Sequence, residues 1–214
     1  CIDCGECIRV CGYHAKYAQT DPLESIRRFR YKIALPAPSL YGQFKHLVSP
    51  SQVLEGLKRI GFDEVFEVAE GADIVTRAIR ERMRNIRPDQ YPVISSACPV
   101  IVRLIRVRFP ELIPHIIDVR QPMEVAAMVA RREFCKAHDV KPEEVGCFFI
   151  TPCAAKMTAI RNPIGHETSA LDGAISMLEL YGLIAAQLKN VPVNTHIARA
   201  SSYGVGWAGS GALA

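Results

Sequence analysis

From residue 32 onward, short apolar runs alternate with stretches of helical period. KIALPAP (32–38) is an apolar run closed by Pro36 and Pro38, which predicts a buried strand opening into a loop. SPSQVLEGLKRIGF follows, with Ser49 and Pro50 as a helix start, Gly61 as its stop, and Leu54, Leu57 and Ile60 on one face. DEVFEVA (63–69) predicts the next strand. ADIVTRAIRERMRNI (72–86) predicts a helix with Ile74, Ala78 and Ile79 inward and arginines outward. PVISS (92–96) and IIDV (116–119) read as strands around a helix at PVIVRLIRVRF (99–109). PMEVAAMVARREFCKAH (122–138) predicts a helix with Pro122 in its first turn, and VGCFFIT (145–151) a strong strand. SMLELYGLIAAQLKN (176–190) predicts a last helix, apolar enough to be buried on several sides.

This rhythm, with strands apolar throughout, predicts an α/β fold with mainly parallel sheet and flanking helices. In such folds ligands sit past the carboxyl ends of the strands. Two cysteines fall there: Cys98 after the strand 92–96, and Cys153 after the strand ending near 151. Each stands beside a proline. Their matching topological positions favour two ligands converging on one crevice over two ordinary buried thiols. Lys156 follows Cys153 by three residues and would point inward only toward an anionic body, as donor and counter-charge. Glu179, the only acid within 174–188, needs a partner if it is buried. Cys135 and Cys147 read as structural.

The first nineteen residues follow a different logic. Cys1, Cys4, Cys7 and Cys11 stand as C-x2-C-x2-C-x3-C, the bacterial 4Fe–4S spacing. Two-residue gaps let successive thiolates reach the corners of one cubane. Zinc usually takes two separated pairs or includes histidine. By the two-cluster rule Cys11 serves a second cluster whose ladder would precede residue 1; the alternative is that Cys11 completes a lone one. Either way the chain is expected to be an internal piece of a longer polypeptide. His14 lies close to the ladder, and His46, His115, His138, His166 and His196 lack ligand-like spacing, so none is assigned to metal. The expected organisation is a partial ferredoxin-like segment at 1–19, a connector or surface helix at 20–31, and an incomplete α/β domain at 32–214.

Composition narrows this further. The chain has 214 residues, 49% of them hydrophobic, enough for one large core or two small ones. A net charge of +4 is too mild to imply nucleic acid, and Arg77, Arg80, Arg82, Arg84 and Arg87 read as a solvated face rather than a docking patch for an acidic redox partner. Eight cysteines, half of them within eleven residues, suit metal ligation better than crosslinking. Neither a signal peptide nor a run of 18 apolar residues is present, so a reducing cytoplasm and no membrane span are expected.

ISSACPVIVRLI and FITPCAAKM resemble the first two signature segments of the iron-only (FeFe) hydrogenase large subunit, whose family forms are roughly Thr-Ser-Cys-Cys-Pro and Met-Pro-Cys-x-x-Lys-x-x-Glu. LPAPSL, GFDEVFEVAEGADIV, FPELIP, QPM, DGAISMLELYGLIA and the glycine-rich SYGVGWAGSG are also similar to that family, and the ladder resembles its ferredoxin-like part. The variant forms look closest to a sensory branch, often fused to signalling modules. The resemblance implies that Cys98 and Cys153 are two of four cysteines holding the 4Fe–4S part of the H-cluster, whose other part is a di-iron unit. It implies that Lys156 hydrogen-bonds a cyanide of that unit and that Thr151 stands where a methionine packs near it. The implied substrates are H2 and protons, with electrons passing through 4Fe–4S clusters to a redox partner or fused signalling module.

Three departures qualify this. Ala97 replaces a proton-relaying cysteine, Ala159 a glutamate, and the third cysteine motif is not reached before Ala214. The chain by itself is therefore expected to bind a cubane near its N-terminus without turning over H2. The alternative is a non-catalytic electron-transfer or cluster-scaffold protein of the same fold.

Overall fold

The computed structural model describes residues 1–44, 48–165 and 167–209; His46, His166 and the last five residues of the glycine-rich tail lie outside that range. Its centre is a four-stranded, all-parallel sheet in the order β2-β1-β3-β4, formed by β1 (Tyr31–Pro36), β2 (Glu64–Val65), β3 (Val145–Thr151) and β4 (Gly173–Ser176). The α/β class with parallel sheet is thus as the pattern predicts. β3 is buried along its whole length, as an unbroken apolar run in the middle of a two-sided sheet must be.

Right-handed crossovers fix where the helices go. β1 runs to β2 through α2 (Pro50–Arg59), while β3 runs the opposite way to β4 through α6 (Ala154–Arg161), so α2 and α6 lie on opposite faces. α7 (Met177–Leu188) packs on α2. On the other face α3 (Val68–Arg84) packs against α5 (Pro122–His138), and α4 (Pro99–Arg108) against α6. Ile33, Leu35, Phe148, Phe149, Ile150 and Ile175 of the sheet meet Leu54, Leu57, Leu180 and Ile184 of the helices, all fully buried. α2 begins on a capping box: Gln52 N donates to Ser49 Oγ at 3.2 Å and Ser49 N to Gln52 Oε1 at 3.0 Å, a cap worth about 1 kcal/mol.

The elements depart from the pattern in several places. The strand expected at 63–69 is two residues long, because Val68 and Ala69 already belong to α3. The strands expected at 92–96 and 116–119 shrink to a single parallel bridge, Ile94 to Ile116, outside the sheet. There the serines take over backbone bonding: Ser96 Oγ donates to Val119 O at 2.6 Å and Ala97 N donates to Ser95 Oγ at 3.3 Å. Helix α6 and strand β4 carry no clear periodic signal; α6 buries Ala155, Met157, Ala159 and Ile160, whose spacing is not that of a single stripe. Within the segment 20–31, Leu23–Arg28 form a six-residue 3-10 turn and Tyr31 already begins β1. Asp21 joins the segment to β4, with Asp21 N donating to Ala174 O and Ala174 N to Asp21 Oδ2, both at 2.8 Å.

α7 corrects a further expectation. Only Met177, Leu180 and Ile184 are buried, while Leu178 is 87% exposed and Tyr181 and Leu183 face solvent. The helix follows an edge strand, and among the described residues no layer covers its outer side. Glu179 is exposed and accepts from Leu23 N at 2.7 Å, so it is no buried acid. The arginines at 77, 80, 82, 84 and 87 are all exposed, as expected of a solvated face.

Candidate iron–sulfur site

β1 and β3 are neighbours whose outgoing chains leave toward opposite faces, which makes their carboxyl ends the switch point of the sheet. Pro36 lies opposite Ile150, and Ala37 N donates to Ile150 O at 2.9 Å. Thr151, Pro152 and Cys153 leave the sheet at this point. Thr151 is 1% exposed, and its Oγ1 accepts from Cys153 N at 3.2 Å, fixing the turn that presents the thiol.

Cys153 and Cys98 occupy equivalent places on two helices. Cys153 is the N-cap of α6 with φ −93° and ψ 109°; Cys98 is the N-cap of α4 with φ −101° and ψ 110°. Thr151 Oγ1, two residues before Cys153, accepts from Cys153 N, and Ser95 Oγ, three residues before Cys98, accepts from Ala97 N. The two helices pack on each other. Their first turns offer N–H groups without intrahelical partners, the natural complement of an anionic body. Lys156 sits one turn into α6, half-buried, with Nζ 5.9 Å from the centroid of the Phe149 ring. Among the described residues it pairs with no carboxylate.

The ladder approaches the same two helices. Cys7 lies in the single turn of α1 (Glu6–Arg9); Gly5 caps it with φ +80°, and Asp3 also turns left-handed at φ +56°. A Cβ on Gly5 would stand 3.5 Å from Ala154 Cβ, so the ladder rests against the first residue of α6. Asp3 forms an ion pair with Arg103 of α4, and Arg103 Nη2 also donates to Asn162 O, at the end of α6, at 3.4 Å.

All eight cysteines are free, Cys1, Cys4 and Cys7 exposed and Cys11 half-buried. Backbone N–H groups of Ala15 and Tyr13, helped by Lys16 and His14, hold the Cys11 thiol below its ordinary pKa against a smaller opposing effect of burial. No three Cys, His, Asp or Glu side chains among the described residues close round a single ion. The donor set of the ladder, four thiols spaced C-x2-C-x2-C-x3-C, is the kind a 4Fe–4S cubane takes.

The model of the iron-only hydrogenase large subunit, C-terminal domain, matches residues 30–214. The chain belongs to that family. Iron hydrogenase 1 of Clostridium pasteurianum is 23% identical over 139 residues, covering 62% of this chain and 24% of that protein. The cytosolic Fe-S cluster assembly factor NAR1 of Yarrowia lipolytica is 27% identical over 120 residues, covering 56% of this chain and 24% of that protein. A solved variant of FeFe-hydrogenase HydA1 from Chlamydomonas reinhardtii superposes with a TM-score of 0.66 at 23% identity, over 90% of this chain and 54% of that one. The chain thus spans about a quarter of these curated relatives and about half of the solved hydrogenase.

Several residues that tie distant segments together carry no sequence signal. Asp3 and Arg103 are a hundred positions apart. Another set ties down the glycine-rich tail. Ser51 Oγ accepts from Ile197 N and Ala198 N at 3.1 and 3.0 Å. Glu67, 2% exposed, accepts from Arg199 N at 2.5 Å, Ala200 N at 3.0 Å and Tyr41 OH at 2.6 Å. Burial first, then the charge of Glu67, keeps the Tyr41 phenol protonated well above its usual range. Asp73 accepts from Ser201 N at 3.0 Å, and Trp207 Nε1 donates to Thr76 Oγ1 at 3.0 Å. A Cβ on Gly204 would come within 2.2 Å of Ala69 O, so the tail passes α3 at a distance only glycine permits. Cys135 is half-buried in α5, and Cys147 is fully buried in β3, its Sγ donating to Ala127 O at 3.8 Å.

Proposed function

We propose that this chain is the cluster-bearing part of a hydrogenase-like electron-transfer protein. In this reading the ladder Cys1, Cys4, Cys7 and Cys11 holds a 4Fe–4S cubane, and Cys98 and Cys153 supply two ligands of a larger iron–sulfur body. The domain organisation is the one read from the sequence: 1–19, 20–31 and 32–214. A single observation carries the proposal: the two N-cap cysteines sit on mutually packed helices, and the ladder docks on both through Asp3–Arg103 and Gly5–Ala154. Lys156 supplies a positive charge one turn from Cys153, and Thr151 holds the backbone of that turn. The H-cluster, when bound in the complete parent, supplies reversible splitting of H2 into protons and electrons.

Ala97 offers no proton-bearing side chain beside Cys98, which favours slow turnover or H2 sensing over fast catalysis, with a redox partner or fused signalling module receiving the signal. The same alanine, together with the likeness to a cytosolic assembly factor, supports a second reading as a cluster scaffold without hydrogen chemistry. A cytoplasmic setting accompanies either reading, although relatives include a protein named as periplasmic. No described helix is long and apolar enough to cross a membrane.

Anaerobic reconstitution followed by iron and acid-labile sulfide assay, electron paramagnetic resonance and H2 uptake tests these readings. The expected result is about one cubane per chain, lost when the ladder cysteines are changed to alanine, with H2 turnover only in the complete parent. Cluster transfer to an apo-ferredoxin without any H2 exchange by the parent would select the scaffold. Rapid H2 turnover by residues 1–214, or no iron uptake at all, would reject the proposal.

A further inference from the structure

We infer that Arg103 is a positioning residue that locks the ladder onto the Cys98–Cys153 helices and sets the electrostatics of the ladder thiolates; the second half of this inference rests on the reading above. Arg103 projects from α4, five residues after Cys98, and its side chain is only 15% exposed. Burial pulls its pKa down, yet the guanidinium keeps a partner: the carboxylate of Asp3, whose side chain is 31% exposed. Its second nitrogen reaches the carbonyl of Asn162, which closes α6. One planar cation therefore joins the ladder, the helix that begins at Cys98 and the helix that begins at Cys153. Lysine, a point charge without the fork, could satisfy Asp3 but not both partners at once.

The pair is also placed where charge matters. Asp3 lies between Cys1 and Cys4, its N–H donates to Cys1 Sγ at 3.4 Å, and Cys1 Sγ donates to Asp3 Oδ1 at 3.2 Å. With Arg103 present the carboxylate is neutralised. Without it, an uncompensated negative charge stands beside thiolates that would hold an anionic cluster, and reduction, which adds another electron, becomes harder. Beside the pair, the ladder approaches the body where Gly5 faces Ala154 at the start of α6. Loss of the pair removes a charged tie between the ladder and both helices as well as changing its field.

The test uses the full chain, first without metal. Hydrogen exchange of the backbone amides of residues 1–11 should accelerate about tenfold or more in Arg103→Gln, while amides of β3 stay protected. Arg103→Lys should recover part of that protection, and the swap Asp3→Arg with Arg103→Asp most of it. In the reconstituted protein Arg103→Gln should lower the reduction potential of the ladder cluster by about 59 mV, the equivalent of tenfold in the equilibrium. Asp3→Asn should not lower it. If Arg103→Gln unfolds the body, Asp3→Asn decides the docking half, since it breaks the same pair from the exposed side. Unchanged exchange in both single variants would overturn the inference. A potential that moves equally in Asp3→Asn and Arg103→Gln would overturn its electrostatic half. Failure of the wild-type chain to take up iron would sink the proposed function and leave the exchange result standing.

Discussion

The two cysteine turns share a backbone conformation and differ in what stands behind them. Cys153 ends a seven-residue strand that is buried throughout and hydrogen-bonded on both sides. Cys98 follows one isolated bridge, with serine hydroxyls bonding Val119 O and Ala97 N beside it. Cys153 is half-buried and Cys98 exposed. One thiol is thus held by the core of the sheet and the other by a side arm. The local geometry that presents a thiol at a helix start takes only a hydroxyl and an N-cap; the rigidity behind it comes from tertiary packing. A ligand bridging both turns would gain most of its positional precision from the Cys153 side and would order the Cys98 side as it bound.

The sharpest way to break this comparison is to cut into each support. Phe148→Ala removes a fully buried ring from β3 and should cost about 3–5 kcal/mol in urea unfolding. Ile94→Ala at the isolated bridge, where the side chain is half-buried, should cost about 1–2 kcal/mol. Equal losses would mean that the Cys98 arm is as integral to the core as the strand.

Raising the pH probes the Cys153 side through Cys147; above about 10 the buried Tyr41 phenol adds its own loss. Burial, the largest cause, pushes the Cys147 thiol in β3 up to about 12, with nearby Asp172 and Cys135 adding to it and Arg131 opposing. The unfolded chain releases that proton near its ordinary value of about 8.5. The folded protein therefore binds more protons than the unfolded one above this pH. The stability this confers is full below about 8.5 and falls by about 1.4 kcal/mol per pH unit as the pH climbs toward 12. Cys147→Ala should flatten this part of the pH–stability curve measured by urea titration, whatever it does to stability at neutral pH.

Smaller effects separate the two turns themselves. Thr151→Val keeps the shape but leaves Cys153 N–H without its acceptor in a buried place, at about 1–2 kcal/mol. Ser95→Ala removes the acceptor of Ala97 N at a more open turn and should cost about 0.5 kcal/mol. Amide exchange at Cys153 and Ala97 in the two variants reads the local part directly.

Much of this was legible in the residues. VGCFFIT could only be a buried central strand, and Ser49, Pro50 and Gln52 announced the start of α2. Cys98 and Cys153 were readable as equivalent points because each follows an apolar run and precedes a helix. The strand reading of PVISS and IIDV failed because an apolar run states that a segment is covered, not that a neighbour supplies its ladder. α7 failed for the related reason that apolar composition does not say how many sides are packed; Leu178 and Leu180 are the same residue type, one exposed and one buried.

The sequence by itself determined the parallel sheet and the candidate thiols, because those depend on local period, spacing and residue type, and its motifs carried the resemblance to the family. Only the tertiary structure decided that the ladder lies against α4 and α6, that Arg103 reaches Asp3, and that Glu67 holds the tail. These are pairings between positions roughly a hundred or more residues apart. No local preference encodes them; they exist because crossover handedness and core packing bring particular helix ends to the same edge of the sheet.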